Sequence, residues 1–210
     1  MERRIRRLAL LVENVLRLGQ PVEEICLSSS QDRDPSWMNE SSLVEACRSG
    51  DLQAFEQIYR DHGVRMKSIA CNLLENVHDA EDAVQEAFLK IYRGIPKFRG
   101  GSSLATWIYR ILVNTCYDLR RKRQRRIEDP ELNPGVELKS STHSGRDHPL
   151  RLTLEKNLGR LEPRARTVFL LYEVEGFKHS EIAAILKIPE GTSKNVLFQA
   201  KRELRRLIWQ

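Results

Sequence analysis

An all-α chain of two small helical domains joined by a flexible linker is predicted by three features of the sequence. Apolar residues recur at spacings of three and four over long stretches, as a helix buried along one side requires. The first of these blocks shows no strand-like alternation of apolar and polar residues. Between residues 127 and 150 the periodicity lapses and Pro130, Pro134, Gly135, Gly145 and Pro149 accumulate, which makes a linker long enough for two domains to sit far apart. With 210 residues, 40% apolar and 30% charged, the chain has room for one large or two small soluble domains.

Residues 1–38 form an N-terminal extension. Arg3, Arg4, Arg6 and Arg7 precede LALLV in the manner of a secretory signal, but Glu13, Asn14 and Arg17 soon interrupt the apolar run. A membrane span needs about 20 apolar residues, so no insertion is expected. Ile5, Leu8, Val12, Val15 and Leu16 fit a short amphipathic helix, and SSSQDRDPS over 28–36 reads as a flexible link. The extension is expected to be a loosely attached helix or an addition ahead of a start at Met38.

The first domain is assigned to 39–126. A short helix with Leu43, Val44, Ala46 and Cys47 inward stops at Ser49 and Gly50, and Asp51 caps a longer one carrying Phe55, Ile58, Tyr59, Met66, Ile69 and Leu73. His78 and Asp79 open a third helix whose buried side is Ala80, Ala83, Val84, Ala87, Phe88 and Ile91, and Pro96 ends it. The loop Gly100, Gly101, Ser102 and Ser103 supplies a turn and helix caps. Leu104, Ile108, Ile111, Leu112, Thr115, Cys116 and Leu119 then give a fourth helix its packing stripe.

In the second domain, 151–210, Leu152 to Leu161 mark one helix and Pro163 starts another that Gly176 ends. Ser180 is read as the cap of a short helix, Ile188 to Gly191 as a turn, and Thr192 as the cap of a final helix with Val196, Leu197, Ala200, Leu204 and Leu207 inward. This is the punctuation of a helix-turn-helix.

Charge narrows the function. Thirty-five basic against 29 acidic residues give a net charge of +6, which fits a nucleic acid or an anionic surface as partner. Cys26, Cys47, Cys71 and Cys116 are widely spaced and read as free core thiols of a reducing cytoplasm. The five histidines form no cluster, and no nucleophile triad, phosphate loop or metal-protease spacing can be assembled, so no enzyme, cofactor or metal is expected. The fourth helix ends in Arg120, Arg121, Lys122, Arg123, Arg125 and Arg126, and off its stripe lie Thr106, Tyr109, Arg110, Asn114 and Tyr117. Rings that stack on unpaired bases beside cations that neutralise the backbone suit melting nucleic acid. The outward groups of the last helix, Ser193, Lys194, Asn195, Phe198, Gln199 and Arg202, suit the major groove. Asp79, Glu81, Asp82, Gln85 and Glu86 form an acidic face that is either solvated or a dock for a basic partner.

The order DAEDAVQEAFLKIYRGIPKFRGGSSLATWIYRILVNTCYDLRRKR, a variable linker, then LEPRARTVFLLYEVEGFKHSEIAAILKIPEGTSKNVLFQAKREL resembles the bacterial extracytoplasmic-function sigma factors of the sigma-70 family over residues 43–207. The resemblance implies a sigma-2-like bundle and a sigma-4-like helix-turn-helix, with core RNA polymerase, promoter DNA and an anti-sigma factor as partners. Asp79, Asp82, Gln85 and Glu86 would grip the coiled coil of the largest core subunit. Phe98, Arg99, Gly101, Ser102, Ser103, Trp107 and Tyr109 would recognise and open the minus-ten element, the Gly100 to Leu104 loop receiving a base turned out of the stack. Arg110, Asn114, Arg120 and Arg121 would hold backbone. Thr192, Ser193, Lys194, Asn195, Phe198, Gln199 and Arg202 would read the minus-thirty-five element. Such a subunit leaves phosphodiester chemistry to the polymerase, and takes no small-molecule substrate. Val196 and Gln199 stand where many relatives have arginine, so the promoter sequence does not carry over. A stand-alone helix-turn-helix regulator is the rival class; it would need an effector or phosphate-accepting domain upstream, whose patterns the first domain lacks.

Overall fold

The computed structural model describes residues 39–128 and 157–208, and every regular element among them is helical. The N-terminal extension and the body of the linker lie outside the described residues, as do Leu152 and Leu154 of the expected helix before Pro163. No described helix is long and apolar enough to cross a membrane.

Four helices make the first domain: α1 Glu40–Arg48, α2 Leu52–Leu74, α3 Val77–Gly94 and α4 Leu104–Glu128. Each start has its cap. Asn39 accepts from the Ser42 amide at 2.8 Å, and Asp51 from the Gln53 amide at 2.8 Å. Asn76 accepts from the amides of His78 and Asp79, so α3 starts at Val77, just ahead of the His78 start that the periodicity predicts. Ser103 accepts from the Thr106 amide at 3.2 Å and so caps α4 as expected. A 3-10 turn at Ile95–Lys97 joins α3 to the loop before α4, and α4 runs two residues past the expected boundary at 126.

The core lies where α2, α3 and α4 meet. Ala80, Ala83 and Ala87 bring α3 close to its neighbours, and Phe88 meets Tyr59 with ring centroids 4.8 Å apart. Gly63 leaves room for that tyrosine, because a Cβ there would sit 3.1 Å from its ring. Ile108, Leu112 and Cys116 of α4 are fully buried, as the apolar stripe requires.

The second domain holds α5 Pro163–Phe169, α6 His179–Leu186 and α7 Glu190–Ile208. Pro163 opens α5, with the Glu162 carboxylate accepting from the Ala165 amide, and a wider π turn at Leu170–Val174 prolongs it as far as Gly176, whose φ is 75°. Two caps differ from expectation. Helix α6 starts at His179, because the Glu181 carboxylate accepts from the Lys178 amide at 2.9 Å, and Ser180 lies inside the first turn. Helix α7 starts at Glu190, because the Ser193 amide already donates to the Pro189 carbonyl, and Thr192 is likewise internal.

The linker would let the domains stand apart; here they are packed together, α6 lying against α4 and α5 touching α2. Arg166 of α5 is only 3% exposed. Its guanidinium donates to the carbonyls of Gly159 and Leu161 in its own domain, and to the Asn72 carbonyl and the Glu75 carboxylate of the first.

Cys47, Cys71 and Cys116 are free and buried, as expected, and Cys26 lies outside the described residues. Burial pushes the Cys47 and Cys116 thiols up to about 12 and raises Cys71 as well. A Cys26→Ser variant at pH 8 is therefore expected to show no fast-reacting thiol until denaturant is added. Rapid labelling of the native variant by a chromogenic disulfide reagent would show that this core is open.

Candidate nucleic-acid interface

The loop from Phe98 to Ser103 stands at the head of α4. Gly100 has φ 72°, the left-handed region that favours glycine, and no atom lies within 4 Å of where a Cβ would stand at Gly100 or Gly101. The crown of the loop therefore faces open space, with Arg99 exposed beside it. Ser102 and Ser103 are half-buried; Ser102 donates to the Ser103 carbonyl, and Ser103 shares a 2.8 Å hydrogen bond with the Thr106 hydroxyl. Phe98 and Trp107 pack under the crown with ring centroids 5.2 Å apart, Phe98 buried and Trp107 half-buried.

Further along α4, the face off the apolar stripe, with its aromatic, basic and amide groups, is partly covered by the second domain. Tyr109 is 2% exposed: its ring meets Phe177 edge-on at 4.9 Å, and its hydroxyl donates to Glu175 at 2.8 Å. Burial first, and the Glu175 carboxylate second, hold that phenol far above its ordinary range, so it stays neutral. Thr106 donates to Glu181 at 3.4 Å, and the Tyr117 and Thr167 hydroxyls share a 2.8 Å bond. Arg110 is half-buried with its Nε unpartnered, whereas Asn114, Arg120 and Arg121 are exposed. Arg120 and Arg121 line a cavity of about 520 Å³ at the domain junction, with Tyr117, Arg164, Leu186 and Lys187 on its other walls.

On α3, Asp82 is exposed while Gln85 is half-buried. The other acids are partly neutralised within the chain: Asp79 pairs with Arg123 at 3.1 Å, Glu81 with Lys67 at 2.8 Å and Glu86 with Lys90 at 2.9 Å. On α7, Lys194, Asn195, Phe198, Gln199 and Arg202 project outward, opposite the buried Leu197, Ala200 and Leu204. Phe198 is 63% exposed, unusual for a ring that size. Ser193 departs from the expected outward position. It is fully buried and bonded to the His179 ring at 2.9 Å, fastening α7 to α6, and Thr192 is half-buried beside it. Among the described residues no group of three His, Cys, Asp or Glu is placed to hold a metal.

Residues that the sequence reading passed over also shape this region. Glu40, Arg48, Arg166 and Glu175 each make contacts between distant segments. Charged residues are ordinarily solvated, so periodicity carries no signal for them.

The profile for sigma-70 region 2 matches residues 58–126, and that for sigma-70 region 4 matches 151–204. The ECF RNA polymerase sigma-E factor of Escherichia coli K12 is 30% identical over 178 residues, 80% of this chain and 93% of its own length. The RNA polymerase sigma-H factor of Pseudomonas aeruginosa is 28% identical over 176 residues, covering 79% and 91%. Among solved structures, the sigma factor RpoE of Bartonella quintana, crystallised with the anti-sigma factor NepR, superposes with a TM-score of 0.65 at 29% identity over 73% of this chain and 96% of its own. CnrH, solved with the cytosolic domain of CnrY, shares the fold with a TM-score of 0.61 at 24% identity, over 80% of this chain and 96% of its own.

A helical bundle whose longest helix ends in a basic run, joined to a helix-turn-helix, thus defines a DNA-binding transcription initiation factor. The chain belongs to the extracytoplasmic-function sigma factors of the sigma-70 family, which direct RNA polymerase to specific promoters.

Tyr109→Phe keeps the ring on Phe177 and removes only the bond to Glu175. It is expected to weaken domain docking by about 1 kcal/mol, read as a larger open fraction by energy transfer between dyes on the two domains. Because docking raises the phenol's pKa, the contribution of Tyr109 is intact below its ordinary value of about 10 and is lost as pH rises beyond it. An open fraction unaffected by the substitution and by pH 11 would show that this contact does not hold the domains.

Proposed function

We propose that the three surfaces divide the work of initiation. The acidic side of α3, led by the exposed Asp82 with Asp79, Gln85 and Glu86, binds core RNA polymerase. The loop Phe98–Ser103 and the adjoining face of α4 engage the minus-ten element: the open crown admits an extruded base, and Arg110, Asn114, Arg120 and Arg121 neutralise backbone. Helix α7 enters the major groove at the minus-thirty-five element through Lys194, Asn195, Phe198, Gln199 and Arg202, with Thr192 and Ser193 setting its angle from within. The observation that carries this reading is the outward row on α7, which nothing in its own domain covers and which combines amide, cation and ring.

Two consequences complete the proposal. Tyr109 is spoken for by Glu175 and Phe177, so contact between that part of α4 and DNA requires the second domain to move away. The chain acts in the cytoplasm as a non-catalytic subunit held in check by an anti-sigma factor, as RpoE of Bartonella quintana was crystallised with one.

The test is transcription in vitro with purified core polymerase and genomic fragments. Discrete starts sharing two upstream elements are expected, and failure to bind core at all would return the chain to the class of stand-alone regulators. Within that assay, reversing Asp82 and Glu86 to lysine together is expected to lower core affinity at least about tenfold with the helical signal unchanged. Unaltered affinity would remove α3 from the dock. Lys194→Ala and Asn195→Ala are each expected to cost about 1–3 kcal/mol in binding to the upstream element while leaving core binding intact. Normal initiation by both would place the reading face elsewhere.

A further inference from the structure

We propose that Glu40 and Arg48, at opposite ends of α1, are positioning residues that hold the promoter-opening loop by both of its ends. The proposal rests on assigning the loop before α4 to the minus-ten element. It extends that assignment to a helix outside the matched region 2, which begins at residue 58.

The crown of the loop has little to fix it from within, although Phe98 at its base packs on Trp107 and donates its amide to the Ile95 carbonyl. Gly100 and Gly101 project into open space, Arg99 makes no hydrogen bond to another described residue, and the one bond of Ser102 is a long 3.3 Å contact to its neighbour. Its ends, by contrast, are both tied to the same distant element. At the entrance, the Arg48 guanidinium donates to the Phe98 carbonyl, and its other arm is steadied by Glu45 at 3.0 Å. At the exit, Glu40 Oε1 accepts from the Leu104 amide at 2.8 Å across 64 residues of sequence. That amide is the first of α4 and has no partner inside its own helix, so an acceptor must come from elsewhere, and the helix dipole favours a carboxylate there. Ser103 serves Thr106 and leaves Leu104 to Glu40.

The spacing of the two ties is set by a rigid rod. They stand eight positions apart along the helix, about 12 Å of rise, and Val44 and Cys47 between them are buried in the core. The free crown is thus presented at a fixed span and angle, as a pocket for an extruded base requires.

The experiment uses the full chain with core polymerase on its cognate promoter. Open-complex formation is followed by permanganate reactivity of unpaired thymines, and base preference by substituting each minus-ten position. Glu40→Ala and Arg48→Met are each expected to slow opening about five- to tenfold and to flatten preference at the extruded base, with core and minus-thirty-five affinities within about twofold of the parent. Glu40→Gln keeps an oxygen acceptor in place and is expected to restore opening to within about twofold. Wild-type opening and preference in Glu40→Ala and Arg48→Met overturn the proposal, and so does a loss in Glu40→Gln equal to that in Glu40→Ala. If Arg48→Met does not fold, the two Glu40 variants decide the matter. Deleting Gly100 and Gly101 separates the two levels: normal opening after deletion overturns the loop's own assignment, whereas slowed opening after deletion with fast Glu40 and Arg48 variants overturns only the clamp.

Discussion

A single helix must satisfy two partners at once, and the arrangement of everything else follows from that. One side of α4 buries Ile108, Leu112 and Cys116 against α2 and α3; another buries Thr106 and Tyr109, where α6 and the turn before it lie. The first side is apolar apart from Thr115, which accepts from Lys90 of α3 at 3.0 Å, and it cannot be exposed without unfolding the bundle. The second is mixed: ring contact with Phe177, then hydroxyl and carboxylate pairs around its edge. Groups of that kind hydrogen bond to water nearly as well as to each other, so each bond adds only about 1 kcal/mol to docking. The two sides of one helix therefore differ in permanence, a durable seam and a separable one.

That difference suits the proposed distribution of DNA contacts over both domains. The exposed row of α7 stays available while the domains are docked, as does the crown of the loop before α4, but the side of α4 that carries Thr106 and Tyr109 does not. Under the proposed assignment, recognition of an upstream element and access to the melted strand are separated in structure, with the domain seam between them.

Much of this was legible in the residues, and the limits have physical causes. The stripe of α4 and the caps Asp51 and Ser103 follow from periodicity and from the short-range geometry of a side-chain oxygen near a free amide. A helical wheel places Tyr109 off the apolar stripe because it separates faces by polarity; it does not say what covers a mixed face. Ser180 and Thr192 are cap residues by type, but the Glu181 carboxylate and the Pro189 carbonyl take the amides of Lys178 and Ser193, so neither is needed as a cap. Ser193 turned inward for a partner, His179, fourteen residues away on another helix. The clamp was invisible for the same reason: Glu40 and Arg48 look like ordinary surface charges until the loop folds back to meet them.

Arg166 brings ionic strength into the picture. Its ties to Gly159 and Leu161 stay within one domain, whereas its pair with Glu75 crosses the seam, and Glu75 is 61% exposed to solvent. Added salt screens that crossing pair and loosens the seam, yet the same salt weakens every contact between the arginines of α4 and a phosphate backbone. The two effects oppose each other: dilute buffer favours a docked form with strong attraction for DNA, and concentrated buffer an open form with little. On the proposed assignment of α4 to promoter backbone, engagement is accordingly greatest between these extremes, where the seam has begun to part and the phosphates still attract.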